Sequence, residues 1–321
     1  MQQALRTLSV RRSPAAWAIL IGLYLAVGVA IAVYLAPTTV IGQDLATYQR
    51  AGDRLWSGQD PYAGQSDLGQ DYQYRYPPLL AMVIPVLGIP PIWYGLLAAA
   101  TVATLWLWYR TAGPAGLLVP ALLVGPQAQQ LLNGNSQALV VYLLAVTPLL
   151  ALGRGPSWGG PAALALATML KLHPVIGLVW FAGRRDGRAI GLYLLACGVL
   201  LVPQVPWLDD FVRYYLADSA AVATIPGMSL RAIHPVVWVA GTVVALVVAW
   251  RLADGRYGWV AVTVAQLLAL PRVLLVNLAL LLAAPLPPRR SVRQASDPAG
   301  DPPPAPGPAT SSSPGPSTTL G

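Results

Sequence analysis

From residue 15 to residue 286 the chain is a succession of apolar runs parted by polar breaks, two of them long, and this pattern limits what it can fold into. About 20 consecutive apolar residues match the hydrocarbon core of a bilayer. In that core the backbone must satisfy its own hydrogen bonds, which a helix does. The runs are Ala15–Ala36, Leu79–Tyr109, Ala115–Leu132, Ala138–Leu152, Pro161–Leu170, Val175–Gly183, Ala189–Val205, Pro235–Trp250, Tyr257–Leu270 and Val273–Leu286. They predict an all-α, polytopic transmembrane bundle of about ten crossings. Leu79–Tyr109 as one straight helix would measure about 45 Å, so Pro85, Pro90 and Pro91 are expected to break it or make it re-entrant. Only 10% of the residues are charged, against about 25% in soluble domains.

The first run exceeds the apolar core of a secretory signal and has no clean small-residue cleavage site after it. It is read as a retained crossing. The net charge of +8 is spread unevenly. With the N-terminus inside and ten crossings, the inner side carries +9 and the outer side −1, as the positive-inside rule requires. That assigns 1–14 to a cytoplasmic segment and 15–286 to the transmembrane domain, with extracytoplasmic loops at 37–78 and 206–234. Residues 287–321, rich in Pro, Ser, Gly and Thr, are expected to form a disordered cytoplasmic tail. A multi-pass cell-membrane protein with both termini inside follows.

The basic residues sit in short turns, and no basic stripe with interleaved aromatics suggests nucleic acid. Cys197 stands alone in an apolar run, so no disulfide forms within the chain. Two histidines and one cysteine make no zinc set. No cofactor is called for, and the scattered aspartates leave a divalent cation open.

Polar chemistry concentrates in Gly42–Pro78, which holds five of the twelve acidic residues, three arginines and five tyrosines. Asp44 follows the first crossing, with Tyr48 at helical spacing. A partly desolvated carboxylate there suits a general base, and equally an interfacial helix cap. Tyr62, Tyr74, Arg75 and Tyr76 offer stacking faces and a guanidinium for sugar and phosphate, or an aromatic belt at the membrane interface. Asn135 and Gln137 lie in the polar break Asn133–Gln137, which fits sugar hydroxyls or a plain turn. All twelve acids are Asp, and Lys171 is the only lysine. An ionisable group between two short apolar runs is costly and so a functional candidate. Lys171, with His173 beside it, suits a phosphate; snorkelling to the interface is the alternative. Arg231 and His234, three apart, could share a helix face, and Arg272 is a further phosphate candidate. The same topology puts all these groups on the outer side.

Several of these residues form a familiar pattern. Asp44-Leu45-Ala46-Thr47-Tyr48-Gln49-Arg50-Ala51, Leu55, Gly58, Pro61-Tyr62 and Tyr76-Pro77-Pro78 resemble the first extracytoplasmic loop of glycosyltransferase family 87. Gly134-Asn135-Ser136-Gln137, Lys171 with Pro174, Arg184-Arg185 and Met228-Ser229-Leu230-Arg231 are similar to later parts of that family. The family consists of GT-C-fold membrane mannosyltransferases that use a polyprenol-phosphate-mannose donor. The resemblance implies transfer of a sugar, mannose in the family, from a polyprenyl-phosphate donor to a glycolipid or cell-envelope glycan on the extracytoplasmic face. It implies inversion in one displacement, with Asp44 as base and Lys171, Arg231 or Arg272 stabilising the leaving phosphate. The chain departs from the pattern at Asn135, where Gln is usual, and at Met228, where Asn is expected. Two other classes fit the composition: a transporter or flippase of lipid-linked sugars, and a non-catalytic polyprenyl-lipid-binding protein. A transporter would more naturally show repeated halves, and none are seen.

Overall fold

A computed structural model describes residues 40–63, 73–153, 158–222 and 229–285, with scattered helical positions between 15 and 34. The expected segment 1–14, the tail 287–321 and Met228 lie outside the described residues. Among the described residues every regular element is an α or 3-10 helix.

The polar stretch 37–78 holds a helix of its own, α1 (Gln43–Trp56). Leu45, Tyr48, Ala51 and Leu55 fall on one face and are buried, as a surface helix on a core requires. That face packs on α2 (Pro78–Leu87). Gly52 sets how closely the two cross: a Cβ there would lie 2.9 Å from the Ala81 carbonyl oxygen.

The N-terminus of α2 shows how each unpaired backbone donor is satisfied. Pro78 has no N–H to place. Leu79 N–H donates to Gln204 Oε1 at 2.9 Å, and Leu80 N–H reaches the Pro77 carbonyl at 3.3 Å. Ala81 N–H donates to the Tyr74 hydroxyl at 2.9 Å, which itself donates to the Pro77 carbonyl at 2.7 Å. Tyr74 is thus bound into the scaffold at both ends of its hydroxyl. Removing that hydroxyl takes away the acceptor of the buried Ala81 N–H, which costs about 1–3 kcal/mol. Tyr74→Phe should therefore lower the thermal midpoint of the purified protein by several degrees.

The break in 79–109 falls at Gly88–Ile89, ahead of Pro90 and Pro91, which open α3 (Pro90–Ala112). Pro is tolerated at those first helical positions because its missing N–H has no intrahelical partner anyway. Pro85, in contrast, sits inside α2 and does not end it. Gln49 Nε2 donates to the Gly88 carbonyl at 2.8 Å and fixes the break from α1.

Next come α4 (Leu118–Leu122) and α5 (Val124–Asn133), part of a pair bent by 56°. Two short helices, α6 (Gln137–Leu152) and α7 (Gly159–Leu170), pack together, and α6 also rests on α3. A 3-10 turn, His173–Gly177, leads to α8 (Leu178–Gly183). Packed on α7 is α9 (Gly187–Leu201), which passes through Val202–Gln204 into α10 (Val205–Val222). The polar stretch 206–234 is therefore helical as far as Val222. The chain then forms α11 (Leu230–Ile233), α12 (Pro235–Arg251) and α13 (Gly258–Ala269). Its last described element is a 3-10 helix, Leu275–Ala283. The indoles of Trp108 and Trp259 donate to the Leu282 and Ala283 carbonyls, both at 2.8 Å, and satisfy its C-terminal end.

Helix lengths sharpen the membrane reading. Two helices, Pro90–Ala112 and the run Gly187–Ala217, are long and apolar enough to cross, and the bent pair would make a third. Six further apolar helices have only 10–17 residues. The segment expected as the last crossing is a nine-residue 3-10 helix, about 18 Å long against roughly 30 Å of hydrocarbon. The described residues thus fit a helical membrane protein with two or three candidate full-length spans by length and composition, and the ten crossings expected from the apolar runs are not established by them.

Candidate active site

Two helix ends and one long loop meet where α5 turns into α6. The turn has a specific cause. Gly134, at φ +70°, takes the left-handed conformation that follows a helix. Asn135 N–H donates to the Gln130 carbonyl at 2.9 Å and Gly134 N–H to the Leu131 carbonyl at 3.0 Å. This pair of bonds is a Schellman closure. Any Cβ at Gly134 would stand 2.9 Å from Leu45 Cβ, so α1 approaches to contact. Trp93 Nε1 donates to the Gly134 carbonyl at 2.8 Å and ties the turn to α3.

The closure delivers Asn135 to a fixed place. Its Oδ1 accepts from Gln137 N–H at 2.8 Å, capping the start of α6. The same oxygen accepts from Lys171 Nζ at 3.0 Å. Its Nδ2 donates to Asp44 Oδ2 at 2.7 Å. Lys171 Nζ also donates to Gln137 Oε1 at 2.7 Å. The amide orientation is thereby determined, since a flipped group would turn NH2 toward two donors and oxygen toward a carboxylate.

Asp44 reaches this chain from the first turn of α1, which follows Gly42 at φ +75°. Negative charge in a first turn is stabilised by the unpaired N–H groups there. Lys171 arrives from the other side, as the extended residue that ends α7 (φ −152°). Pro174, starting the next turn, keeps α7 from continuing. Lys171 is half-buried, and its ammonium lies 5.1 Å from the centre of the Tyr76 ring. Desolvation lowers its pKa to about 8, opposed by the nearby negative charge of Asp44. The acid and the ammonium do not touch; Asn135 separates them. A neutral arrangement of this kind costs far less to bury than either charge alone.

Tyrosines wall the site. Tyr48 is fully buried (0% exposed) and meets Tyr76 edge-to-face at 5.0 Å and Trp93 at 5.9 Å. Its hydroxyl accepts from Ser136 N–H at 3.3 Å. Burial raises the pKa of both Tyr48 and Tyr76, so both remain neutral phenols and supply shape and hydrogen bonds, not proton transfer.

Of the residues singled out in the sequence, Asp44, Tyr48, Tyr76, Asn135, Gln137 and Lys171 come together here. Tyr74 serves the scaffold, as described above. Tyr62 donates to the Tyr76 carbonyl at 2.8 Å and stacks on Tyr214 at 5.4 Å. Arg75 donates to Gln73 Oε1 at 3.1 Å, an oxygen that also takes the Tyr214 hydroxyl. These residues dock the loop on α10. Arg231 lies over the Trp238 ring at 5.4 Å. It does not share a helix with His234, which instead caps α12 by accepting from Val236 N–H at 3.2 Å. Arg272 follows Pro271, whose carbonyl accepts the Ser229 hydroxyl at 2.7 Å. Two participants were missed: Ser136, inside the polar break, and Gln266, a fully buried amide beside His173. Gln266 had a signal in the sequence, as a lone amide within an apolar run.

Comparison with known proteins finds a relative in Mycobacterium tuberculosis, a polyprenol-phosphate-mannose-dependent alpha-(1-2)-phosphatidylinositol mannoside mannosyltransferase. The two are 30% identical over 202 residues, covering 52% of this chain and 46% of that protein. The chain spans about half the length of the curated relative it matches. No family model matches the chain, and no solved structure does. Composition, the helices of its described residues and this likeness together support a helical membrane protein similar to a mannosyltransferase.

Proposed function

We propose that the chain is a membrane glycosyltransferase of the family-87, GT-C type. It takes a sugar, mannose by the likeness, from a polyprenyl-phosphate donor and passes it to a glycolipid or cell-envelope glycan. The observation that carries this reading is the linkage Asp44–Asn135–Lys171–Gln137, a carboxylate and an ammonium held apart by one amide. The acceptor hydroxyl loses its proton to Asp44 as its oxygen attacks the anomeric carbon. The bond from that carbon to the phosphate oxygen breaks, and its electron pair leaves with polyprenyl phosphate. Lys171 stabilises the charge gathering on the phosphate. An ammonium has three N–H donors, and the two amide oxygens use two of them, leaving one for the phosphate. The sugar arrives on a lipid, so a protein made almost wholly of apolar helices suffices to bind it.

Purified protein supplied with radiolabelled polyprenyl-phosphate mannose and a membrane glycolipid extract should move label to the extract. Label that stays on the donor, with donor binding intact, would favour the non-catalytic lipid-binding reading. The site is assigned to the extracytoplasmic face on the charge distribution. A cysteine placed at Ser57 should then react with an impermeant reagent in intact cells, and one at Gly187 should not. The reverse pattern would invert the topology.

A further inference from the structure

One buried polar cluster lies just beyond the linkage. The 3-10 turn His173–Gly177 packs on α13, and Gln266, near the C-terminal end of α13, lies beside the His173 imidazole. Gln266 is 0% exposed. Neither its Nε2 nor its Oε1 makes a well-formed hydrogen bond, and neither does His173 Nδ1; the amide and the imidazole have only one another nearby, in an imperfect pairing. Buried polar atoms gathered at one spot without a well-formed hydrogen bond are unusual, because each costs stability when left so. An apolar side chain would fill the same space at lower cost. His173 is half-buried, only two residues from Lys171 and within reach of its charge, so the imidazole neighbours any group bound at Lys171.

The chemistry of the orphaned atoms identifies their ligand. Gln266 presents both a donor and an acceptor, and the imidazole nitrogen can act as either. A phosphate, which only accepts, would leave Oε1 unmatched. A hydroxyl both donates and accepts and matches the set. We propose that His173 and Gln266 form a hydroxyl-reading subsite for the sugar of the lipid-linked donor, next to the phosphate at Lys171. This rests on the donor reading above and extends it to sugar recognition. A site built to hydrogen-bond a hydroxyl discriminates strongly against ligands that lack it.

The test uses the full chain in lipid nanodiscs and the variant Gln266→Met, which keeps side-chain length and removes both polar atoms. Binding of polyprenyl-phosphate mannose and of sugar-free polyprenyl phosphate is measured, together with the thermal midpoint of the unliganded protein. The expected result is a midpoint unchanged or raised by about 2–4 °C. Mannosyl-donor affinity should fall about tenfold, with affinity for the sugar-free lipid unchanged. A lower midpoint with both affinities unchanged would mean a structural role, such as holding one buried water, and would overturn the subsite. Equal loss of both affinities would make it a phosphate contact and overturn the sugar assignment. If the wild type binds neither lipid, the donor reading itself fails and takes this inference with it. His173→Phe provides a second variant with the same expected split between the two lipids.

Discussion

Asp44→Asn is expected to lower turnover by about 10²–10⁴-fold while donor affinity stays within a few-fold of wild type. The substitution keeps the shape of the side chain, and its Oδ1 can still accept from Asn135 Nδ2, so the linkage to Lys171 survives in form. What disappears is the capacity to take a proton. Under the proposed function donor contacts run through Lys171, on the far side of Asn135, which is why binding and chemistry should separate. Steady-state kinetics beside equilibrium binding of the labelled donor measures both. Unchanged turnover would remove Asp44 as the base and leave it a first-turn helix residue.

Lys171→Ala should act the other way, weakening donor binding by about 10–100-fold, the range for losing a charge-assisted hydrogen bond. It also leaves the Gln137 Oε1 acceptor without the donor it now has and removes the Lys171 charge that acts on Asp44. Lys171 loses its proton near pH 8. If the charged form binds the donor phosphate as proposed, wild-type donor affinity should be flat below that pH. It should fall about tenfold per pH unit above it, and the alanine variant should show no such slope. A variant that binds donor like wild type at pH 7 would exclude Lys171 from the phosphate site. Because acid and ammonium offset one another, Asp44→Asn with Lys171→Ala should destabilise the protein less than the sum of the two alone.

Much of the site is legible in the sequence because membranes penalise polar groups. Lys171, Asp44 and Asn135 stand out where an apolar chain would be cheaper, and the structure brings all three together. The roles of the tyrosines were not legible. Tyr48, Tyr62, Tyr74 and Tyr76 look alike as letters, and only three-dimensional contact separates the site wall (Tyr48, Tyr76) from the helix cap (Tyr74) and the loop anchor (Tyr62). Arg231 and His234 show the limit of spacing arguments, since Arg231 lies within one short helix and His234 caps the next. The number of full crossings is hard to read from hydropathy for a related reason. Hydropathy marks what is buried, and a short helix buried against neighbours has the same composition as a piece of a crossing.

Asn135 does two jobs with one side chain: its Oδ1 caps α6 and its amide sets the gap between acid and ammonium. That gap is consequently not a continuously tunable quantity. A longer residue at 135 would widen it only by unseating the start of a helix, and a shorter one would break the bridge altogether. Variants selected for a bulkier acceptor would then have to change the walls of the site, because the span between its two charged groups is locked to the register of the helix beneath it.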